Sequence, residues 1–421
     1  MQELKEFIHQ SPSPWHATET ARDYLNQNGF KECFESEENW DLQPGDKFYV
    51  IRGGGSLIAM EVPSAPNGKT AIHAVGSHTD SPCFRLKANP ISPSKNPTYF
   101  QLEVYGGVLL ASWLDRDLKF AGRIVGEDES GKLKEALWQS GSILRIPQLA
   151  IHLNRDVNSK GLLLNAQTQI LGFCADQYTE EEFHQMLQRE TGLKKIYSWD
   201  LCTADMQEPE LGGVKGEFFY APRLDNLAMF QASLKSLIES EESEALKVAV
   251  SFQHEEVGSA SAEGAESDFL EKTLQRVFEK IPELGTLRSN VGASLLLSAD
   301  MAHAYHPGYA DKFDPQNHPL LNQGPVLKFN ANVRYATDAR TVARVRQLAE
   351  NKGIPLQVFH NRNDMGCGST IGPANATKLG IPVLDLGNAM HSMHSCREMT
   401  GTKDHEQIIT LFKAFFEMVP A

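Results

Sequence analysis

The chain has 421 residues, of which 41% are hydrophobic and 22% charged, and its formal net charge is −14. This is the composition of a globular protein, and the length exceeds what one hydrophobic core usually serves, so we expect two domains. The acidic balance argues against nucleic acid or an anionic membrane surface as the main partner, although a buried pocket can still be locally basic.

The cysteines also exclude classes of protein. All six are scattered, and none forms a Cys-x-x-Cys pair, which argues against a disulfide framework and against a thiolate zinc site. The first residues lack the basic and apolar regions of a signal peptide. No apolar run approaches the ~20 residues that span a bilayer. We therefore expect a reducing, cytoplasmic location.

The first part of the chain predicts two helices followed by strands. The helices are expected over 2–10 and 16–28. The strands are expected over 48–51, 56–62 and 70–76. The first two are joined through Arg52-Gly-Gly-Gly55, which we interpret as a hairpin turn because no lysine and helix start follow it, as a phosphate loop requires.

From residue 86 to residue 219 the pattern changes to short alternating runs separated by turn residues. Strands are predicted over 100–105, 119–125, 142–146 and 161–164, and one helix over 179–189. This texture predicts a β-rich insertion. The expected organisation is a discontinuous domain formed by 1–85 and 220–421, interrupted by an inserted domain over 86–219.

After Pro222 helices and strands alternate. Helices are predicted over 224–238, 269–280, 341–351 and 405–419, and strands over 247–252, 293–298, 355–360 and 381–386. Such alternation predicts an α/β fold with a mixed, largely parallel sheet covered by helices on both faces.

Two adjacent carboxylates, Glu255 and Glu256, come just after the apolar strand that ends at Phe252. Neighbouring acids without basic partners repel each other, and a metal ion on one and a transferable proton on the other would relieve this. A solvated turn is the alternative. Ligands of open α/β sheets bind beyond the carboxyl ends of the strands, where other candidate ligands also recur.

Each of these other candidates has an ordinary structural interpretation as well. His78 and Asp80 share a face of an extended segment, so that Asp80 can accept from a metal-bound imidazole, or they form an Asx turn. Asp225 is either a ligand or a helix N-cap. Asp300, with His303 three residues on, is a ligand or a turn residue. His391 and His394 could share one face of a helical turn.

Taken together, these segments resemble the aspartyl aminopeptidase family of co-catalytic zinc exopeptidases. The resemblance covers nearly the whole chain, including the insertion. It is carried by five motifs in order: Ser77-His-Thr-Asp-Ser-Pro82, Arg223-Leu-Asp-Asn226, His254-Glu-Glu-Val-Gly-Ser259, Ser298-Ala-Asp-Met-Ala-His-Ala304 and Met393-His-Ser-Cys-Arg-Glu398.

The resemblance implies a zinc exopeptidase fold and a site for two Zn²⁺ ions per subunit, for which Co²⁺ or Mn²⁺ could substitute. Asp225 would bridge the ions. His78 and Asp300 would complete the ligands of one ion. Glu256 and His394 would complete those of the other. Glu255 would be the general base, and Asp80 would orient His78.

The resemblance also implies where substrate binds. Lys328, in Gly324-Pro-Val-Leu-Lys-Phe-Asn330, corresponds to a lysine that meets an acidic first residue; its ordinary interpretation is a snorkelling edge lysine. His152, in Ala150-Ile-His-Leu-Asn-Arg155, corresponds to a residue that reaches the active site of a neighbouring subunit; otherwise it is a surface histidine. The family forms dimers through the insertion and dodecamers from those dimers.

The expected function is therefore a cytoplasmic metallo-aminopeptidase that removes an N-terminal Asp or Glu from peptides. Neither nucleic acid nor a membrane is an expected partner. Three alternatives remain: an aminopeptidase of broader specificity, another amide hydrolase on the same scaffold, such as a deacylase or carboxypeptidase, and a non-catalytic assembly protein. The last would have no need of a general base.

Overall fold

The computed structural model describes residues 1–92 and 96–419. Its strands are β1 (Lys31–Glu32), β2 (Lys47–Arg52), β3 (Ser56–Glu61), β4 (Ile72–His78), β5 (Cys83–Ile91), β6 (Thr98–Tyr105), β7 (Leu118–Glu127), β8 (Leu133–Gln139), β9 (Leu171–Ala175), β10 (Lys195–Asp205), β11 (Glu210–Gly212), β12 (Phe218–Ala221), β13 (Leu246–Phe252), β14 (Leu295–Ala299), β15 (Ala302–His303), β16 (Val326–Phe329), β17 (Gln357–His360), β18 (Val383–Gly387), β19 (Ala389–His391) and β20 (Glu398–Gly401).

The helices are named in the same way. The α-helices are α1 (Gln2–Gln10), α2 (Pro14–Gln27), α3 (Val157–Lys160), α4 (Ala166–Gln169), α5 (Glu180–Thr191), α6 (Leu224–Glu239), α7 (Phe269–Lys280), α8 (Leu287–Asn290), α9 (Ala339–Lys352), α10 (Ile371–Leu379) and α11 (Thr402–Phe416). Short 3₁₀ helices are Leu110–Trp113, Glu255–Val257, Pro282–Leu284, Val291–Ala293 and Pro307–Lys312. Among the described residues, no helix combines the length and the apolar character that crossing a bilayer would require.

A nine-stranded sheet forms the centre of the molecule, in the order β1-β2-β3-β13-β4-β14-β18-β16-β17. Its central neighbours β13, β4, β14 and β18 run parallel, whereas β3 and β16 join them antiparallel. Successive side chains of a strand point to opposite faces. Along β13, Val248 and Val250 enter one apolar cluster and Ala249 enters the other. Both faces are therefore covered, which confirms the predicted α/β class.

Each face is covered by its own helices. The cluster that contains Ala249 also contains apolar residues of α1, α2, α6, α9 and α11, and the opposite cluster contains residues of α7 and α10. The helix α6 is buried along most of its length, as its predicted apolar stripe requires.

Several local predictions are confirmed, and two are wrong. The helices over 2–10 and 269–280 have the predicted bounds, and Arg52 lies opposite Ser56 in the expected hairpin. The strand expected over 70–76 extends to His78, because Ser77 and His78 still pair with β13. No strand forms over 161–164, and the strand predicted over 142–146 is reduced to isolated bridges at Leu144 and Arg145.

The predicted insertion contains a second sheet, in the order β8-β7-β10-β5-β6-β9. All of its pairs are antiparallel. It has its own apolar cluster, which includes Phe84, Phe100, Phe120 and Phe183. A third sheet, in the order β11-β12-β20-β19-β15, joins the end of this segment to the C-terminal part of the chain. The domain division at residues 85 and 219 stays a prediction.

Candidate metal centre

Three central strands deliver side chains to one edge of the large sheet. His78 is the last residue of β4, and it pairs with Phe252, the last residue of β13. The turn Glu255–Val257 follows β13 directly, and Asp300 follows β14. Because the strands are parallel and in register, their carboxyl ends lie together. The sheet thus brings His78, both glutamates and Asp300 to one place.

Two further side chains arrive from irregular segments. Asp225 lies at the start of α6, where its backbone is not helical (φ −83°, ψ 103°). Its buried Oδ1 accepts no hydrogen bond from the described residues, which favours the ligand interpretation of Asp225 over the N-cap. His394 has φ +68°, a left-handed conformation that is uncommon for a residue with a side chain. His394 Nδ1 lies 3.0 Å from the carbonyl oxygen of Gly107, which fixes the imidazole.

Asp225 lies between the two imidazoles. Its Oδ1 is 3.3 Å from His78 Nε2, and its Oδ2 is 3.3 Å from His394 Nε2. Glu256 Oε2 is also 3.3 Å from His394 Nε2. On the other side, Glu255 Oε2 and Asp300 Oδ1 lie 3.9 and 4.0 Å from His78 Nε2. One carboxylate with an oxygen toward each imidazole is the arrangement of a bridging ligand.

The donor atoms fit divalent cations. The described residues contain two groups whose potential ligand atoms all lie within 4.8 Å of one another: His78, Glu255 and Asp300, and His78, Asp225 and Glu256. Asp225 Oδ1 and Glu256 Oε1 are buried and accept no hydrogen bond from any residue in this part of the chain. A buried carboxylate oxygen without a partner is costly. A set of imidazole nitrogens and carboxylate oxygens suits Zn²⁺.

The pKa values of the clustered carboxyl groups are shifted by burial and by their charged neighbours. Burial raises the pKa of Glu255 to about 8; His78 opposes this shift and the Asp300 carboxylate adds to it. Burial, followed by the charge of Asp225, holds the pKa of Glu256 well above its usual range. Burial would also raise the pKa of Asp225, but the nearby imidazoles of His394 and His78 outweigh it and lower that pKa. A cation beside Glu256 would oppose the upward shift of its pKa, because it favours the ionised carboxylate.

Asp80 contacts the imidazole of His78 and the turn that carries Glu255 and Glu256. His78 Nδ1 lies 3.0 Å from the backbone oxygen of Asp80 and 3.6 Å from its carboxylate Oδ1. The closer contact is thus with the main chain, whereas the sequence suggested the carboxylate. The carboxylate accepts instead from the backbone N–H groups of Glu255 and Glu256, each over 3.2 Å.

Glu398 is a site residue that the sequence interpretation did not single out. Its Oε2 accepts from the N–H of Asp225 over 3.1 Å, and its Oε1 accepts from the N–H of His394 over 2.7 Å. One fully buried carboxylate therefore ties together the backbones of two candidate ligands. Burial, followed by the charge of Asp225, raises its pKa to about 8. Glu398 is the last residue of the motif Met393-His-Ser-Cys-Arg-Glu398, and this position was the sequence feature that could have identified it as a site residue.

His391 and His303 do not join the candidate ligands. His391 ends β19 and contacts His306, with ring centroids 5.6 Å apart, whereas His394 lies in the turn beyond the strand. The expectation that His391 and His394 share one helical turn is wrong, because β19 continues through His391. His303 lines the cavity over the site but belongs to neither ligand group.

A cavity of about 530 Å³ opens above these residues. Lys328, on β16, lines it and is almost entirely buried. Its Nζ is 3.6 Å from Asp300 Oδ2 and 5.4 Å from the ring centroid of Tyr335. Lys328 is therefore no snorkelling edge residue. His152, by contrast, is exposed and does not line the cavity.

Comparison with known proteins gives a consistent result. Residues 7–416 match the family of aminopeptidase I zinc metalloproteases (M18). A probable M18 family aminopeptidase 2 of Stutzerimonas stutzeri is 39% identical, covering 99% of this chain and 97% of the relative. Aspartyl aminopeptidase 1 of Schizosaccharomyces pombe is 37% identical over 98% and 93%. The solved mApe1 dodecamer of S. cerevisiae is similar with a TM-score of 0.87, at 28% identity and over 99% and 95% of the two chains.

The position of Glu398 generates a test. Glu398→Gln keeps the shape of the side chain but turns one acceptor into an amide donor that faces a backbone N–H. We expect zinc affinity to fall roughly 10- to 100-fold, as is typical when a group that orients ligands is changed. Competition with a chelator measures the affinity. Glu406→Gln, on an exposed face of α11, is the control. Unchanged affinity in Glu398→Gln would show that Glu398 does not position the ligands.

Proposed function

Because this chain belongs to the aminopeptidase I zinc metalloprotease family (M18), and is thus a zinc metallo-aminopeptidase, we propose that it uses two zinc ions to remove an acidic N-terminal residue from peptides. The observation that carries this proposal is the position of Asp225, with one carboxylate oxygen 3.3 Å from each of two imidazoles. A single carboxylate placed in this way can serve two ions at once.

The contacts of His78, Asp225 and His394 support the ligand assignment that we propose. We assign His78 and Asp300 to one ion, Glu256 and His394 to the other, and Asp225 to both. When bound, the ions supply Lewis acidity, which lowers the pKa of a water molecule and polarises the scissile carbonyl. The buried carboxylates would offset the charge of the ions, and the unpaired oxygens of Asp225 and Glu256 would gain partners.

Glu255 is the proposed general base. It follows β13 in the same turn as Glu256, and its Oε2 is 3.9 Å from His78 Nε2, so it faces the place where the ligands of the first ion meet. Its backbone N–H is held by Asp80. From there it can take a proton from the attacking water and deliver it to the leaving amine.

Lys328 is the proposed determinant of acidic specificity. Its ammonium group is buried in the wall of the cavity, where an ion pair with a substrate carboxylate would be shielded from water. The contact of Lys328 with Asp300 favours a second candidate, an aminopeptidase of broader specificity. If Asp300 already satisfies the ammonium group, little charge remains to select an acidic residue.

The inserted segment is the proposed dimerisation domain, and His152 is proposed to act in the site of a second copy. The apolar side chains around His152 are largely exposed: Leu149 by 57%, Ile151 by 47% and Leu153 by 75%. Neighbouring apolar side chains at such exposure are typical of a surface that another protein covers. The mApe1 protein of S. cerevisiae is a dodecamer, and we propose a dimer-based homo-oligomer here as well.

The role of Glu255 is tested by Glu255→Gln. General acid–base catalysis contributes typically 10²- to 10⁴-fold, so we expect turnover to fall by roughly that factor. Metal analysis should still give two zinc ions per subunit, because Glu255 is not a ligand in this scheme. Glu242→Gln, on an exposed turn, is the matched control. Full turnover in Glu255→Gln, or loss of zinc with the substitution, would contradict the assignment.

Lys328→Met separates the two candidate specificities. Loss of a hydrogen bond to a charged group costs about 1.5–3 kcal/mol, which is roughly 10- to 100-fold in kcat/KM for Asp and Glu substrates. Substrates that begin with Ala or Leu should change little. Lys312→Met, at the exposed end of a 3₁₀ helix, is the control. If acidic and neutral substrates respond alike, the broader specificity is supported instead.

The action of His152 across subunits is tested by mixing two impaired variants. Subunits with His152→Ala keep Glu255, and subunits with Glu255→Gln keep His152. In a mixed dimer, one site then receives both native residues. We expect activity to reappear when the variants are refolded or co-expressed together. If His152 acts within its own subunit, no mixture can recover activity.

A further inference from the structure

A phenol from the six-stranded sheet reaches the carboxylate beside the metal centre. Tyr105 is the last residue of β6, and its side chain is buried. Its hydroxyl donates to Asp80 Oδ2 over 2.6 Å. Asp80 is also fully buried, so water does not compete for this bond. The distance is that of a hydroxyl bound to an ionised carboxylate.

The same carboxylate supports both glutamates of the centre. Glu255 donates its N–H to Oδ1 and Glu256 donates its N–H to Oδ2, each over 3.2 Å. The hydroxyl of Tyr105 and the N–H of Glu256 therefore share one oxygen of Asp80. A rotation of this carboxylate that breaks one bond disturbs the other, and with it the turn that carries Glu255.

A cation lies over the ring of Tyr105. The guanidinium carbon of Arg85, on the paired strand β5, is 4.0 Å from the ring centroid. Nε and Nη2 of Arg85 are buried and make no hydrogen bond with any residue of 1–92 or 96–419. The ring is thus a principal partner of this charge. A cation over a phenol also draws electron density from it, which makes the hydroxyl a better donor.

From these contacts we propose that Tyr105 is a positioning residue of the catalytic centre, polarised by Arg85 and acting through Asp80 on Glu255 and Glu256. The inference rests on the proposed function, because it gives Tyr105 a part in a reaction assigned to those glutamates. It also makes the inserted segment a contributor to the geometry of the centre within one subunit, in addition to any role in assembly.

The experiment compares Tyr105→Phe with Tyr99→Phe. Both residues lie on β6, but the ring of Tyr99 stacks on Phe173 at a centroid distance of 6.2 Å, away from the centre. We expect Tyr105→Phe to lower kcat roughly 10- to 100-fold and to weaken zinc binding on the order of tenfold, with KM within about twofold. Tyr99→Phe should leave all three unchanged. Kinetics with an N-terminal Asp peptide and chelator competition give the values.

The outcomes are distinguishable. A kcat and a zinc affinity of Tyr105→Phe that both match those of Tyr99→Phe would overturn the positioning role and leave the proposed function intact. Losses in both variants, accompanied by lowered unfolding temperatures, would also overturn it, because packing would then explain the effect. If the unsubstituted, zinc-loaded enzyme cleaves no peptide, the proposed function fails, and zinc affinity alone decides whether Tyr105 positions the ligands.

Arg85→Met provides an independent variant that leaves Tyr105 in place. Removing the charge over the ring should lower kcat roughly 3- to 10-fold. In the Tyr105→Phe background the same substitution should have no further effect, because no hydroxyl remains to be polarised. Additive losses in the double variant would overturn the link between Arg85 and Tyr105.

Discussion

Asp225 presents its two carboxylate oxygens to two imidazole nitrogens, and both Asp225 and His78 are buried. Around this contact lie three more acidic side chains, Glu255, Glu256 and Asp300, and buried carboxylates so close to one another cannot all be ionised without positive charge between them. The protein contributes the imidazoles and Lys328, which is less charge than the carboxylates require. The surrounding residues must therefore hold together four carboxylates that repel one another.

The main chain and two buried carboxylates supply that restraint. Asp80 binds the N–H groups of the glutamate turn, and Glu398 binds those of Asp225 and His394. The backbones of Asp225, His394 and Glu256 are thus each fixed by a carboxylate that is itself buried. Hydrogen bonds of this kind are worth more in a low dielectric than at a surface, and partial loss of such a network is correspondingly costly.

The two larger sheets meet at this network. Parallel strands of the nine-stranded sheet end together and deliver His78, Glu255, Glu256 and Asp300, and β6 of the six-stranded sheet delivers the hydroxyl of Tyr105 to Asp80 Oδ2. His394 is anchored on Gly107, in the loop that follows β6. The segment that interrupts the large sheet in sequence therefore contacts both Asp80 and His394.

The sequence by itself determined the α/β class, the parallel strands and the candidate ligands, because apolar runs, helical periodicity and acidic or imidazole side chains after strands are local properties of the chain. Its boundaries were less accurate where pairing decided them: Ser77 and His78 remain in β4 because β13 pairs with them, and residues 161–164 form no strand because they find no partner. The tertiary structure alone decided that Glu398 and Tyr105 touch the centre, that Lys328 is buried beside Asp300, and that His391 and His394 diverge. The physical reason is that a single Glu or Tyr can bind many different groups. Which group it binds is decided by contacts between residues that are far apart in the sequence.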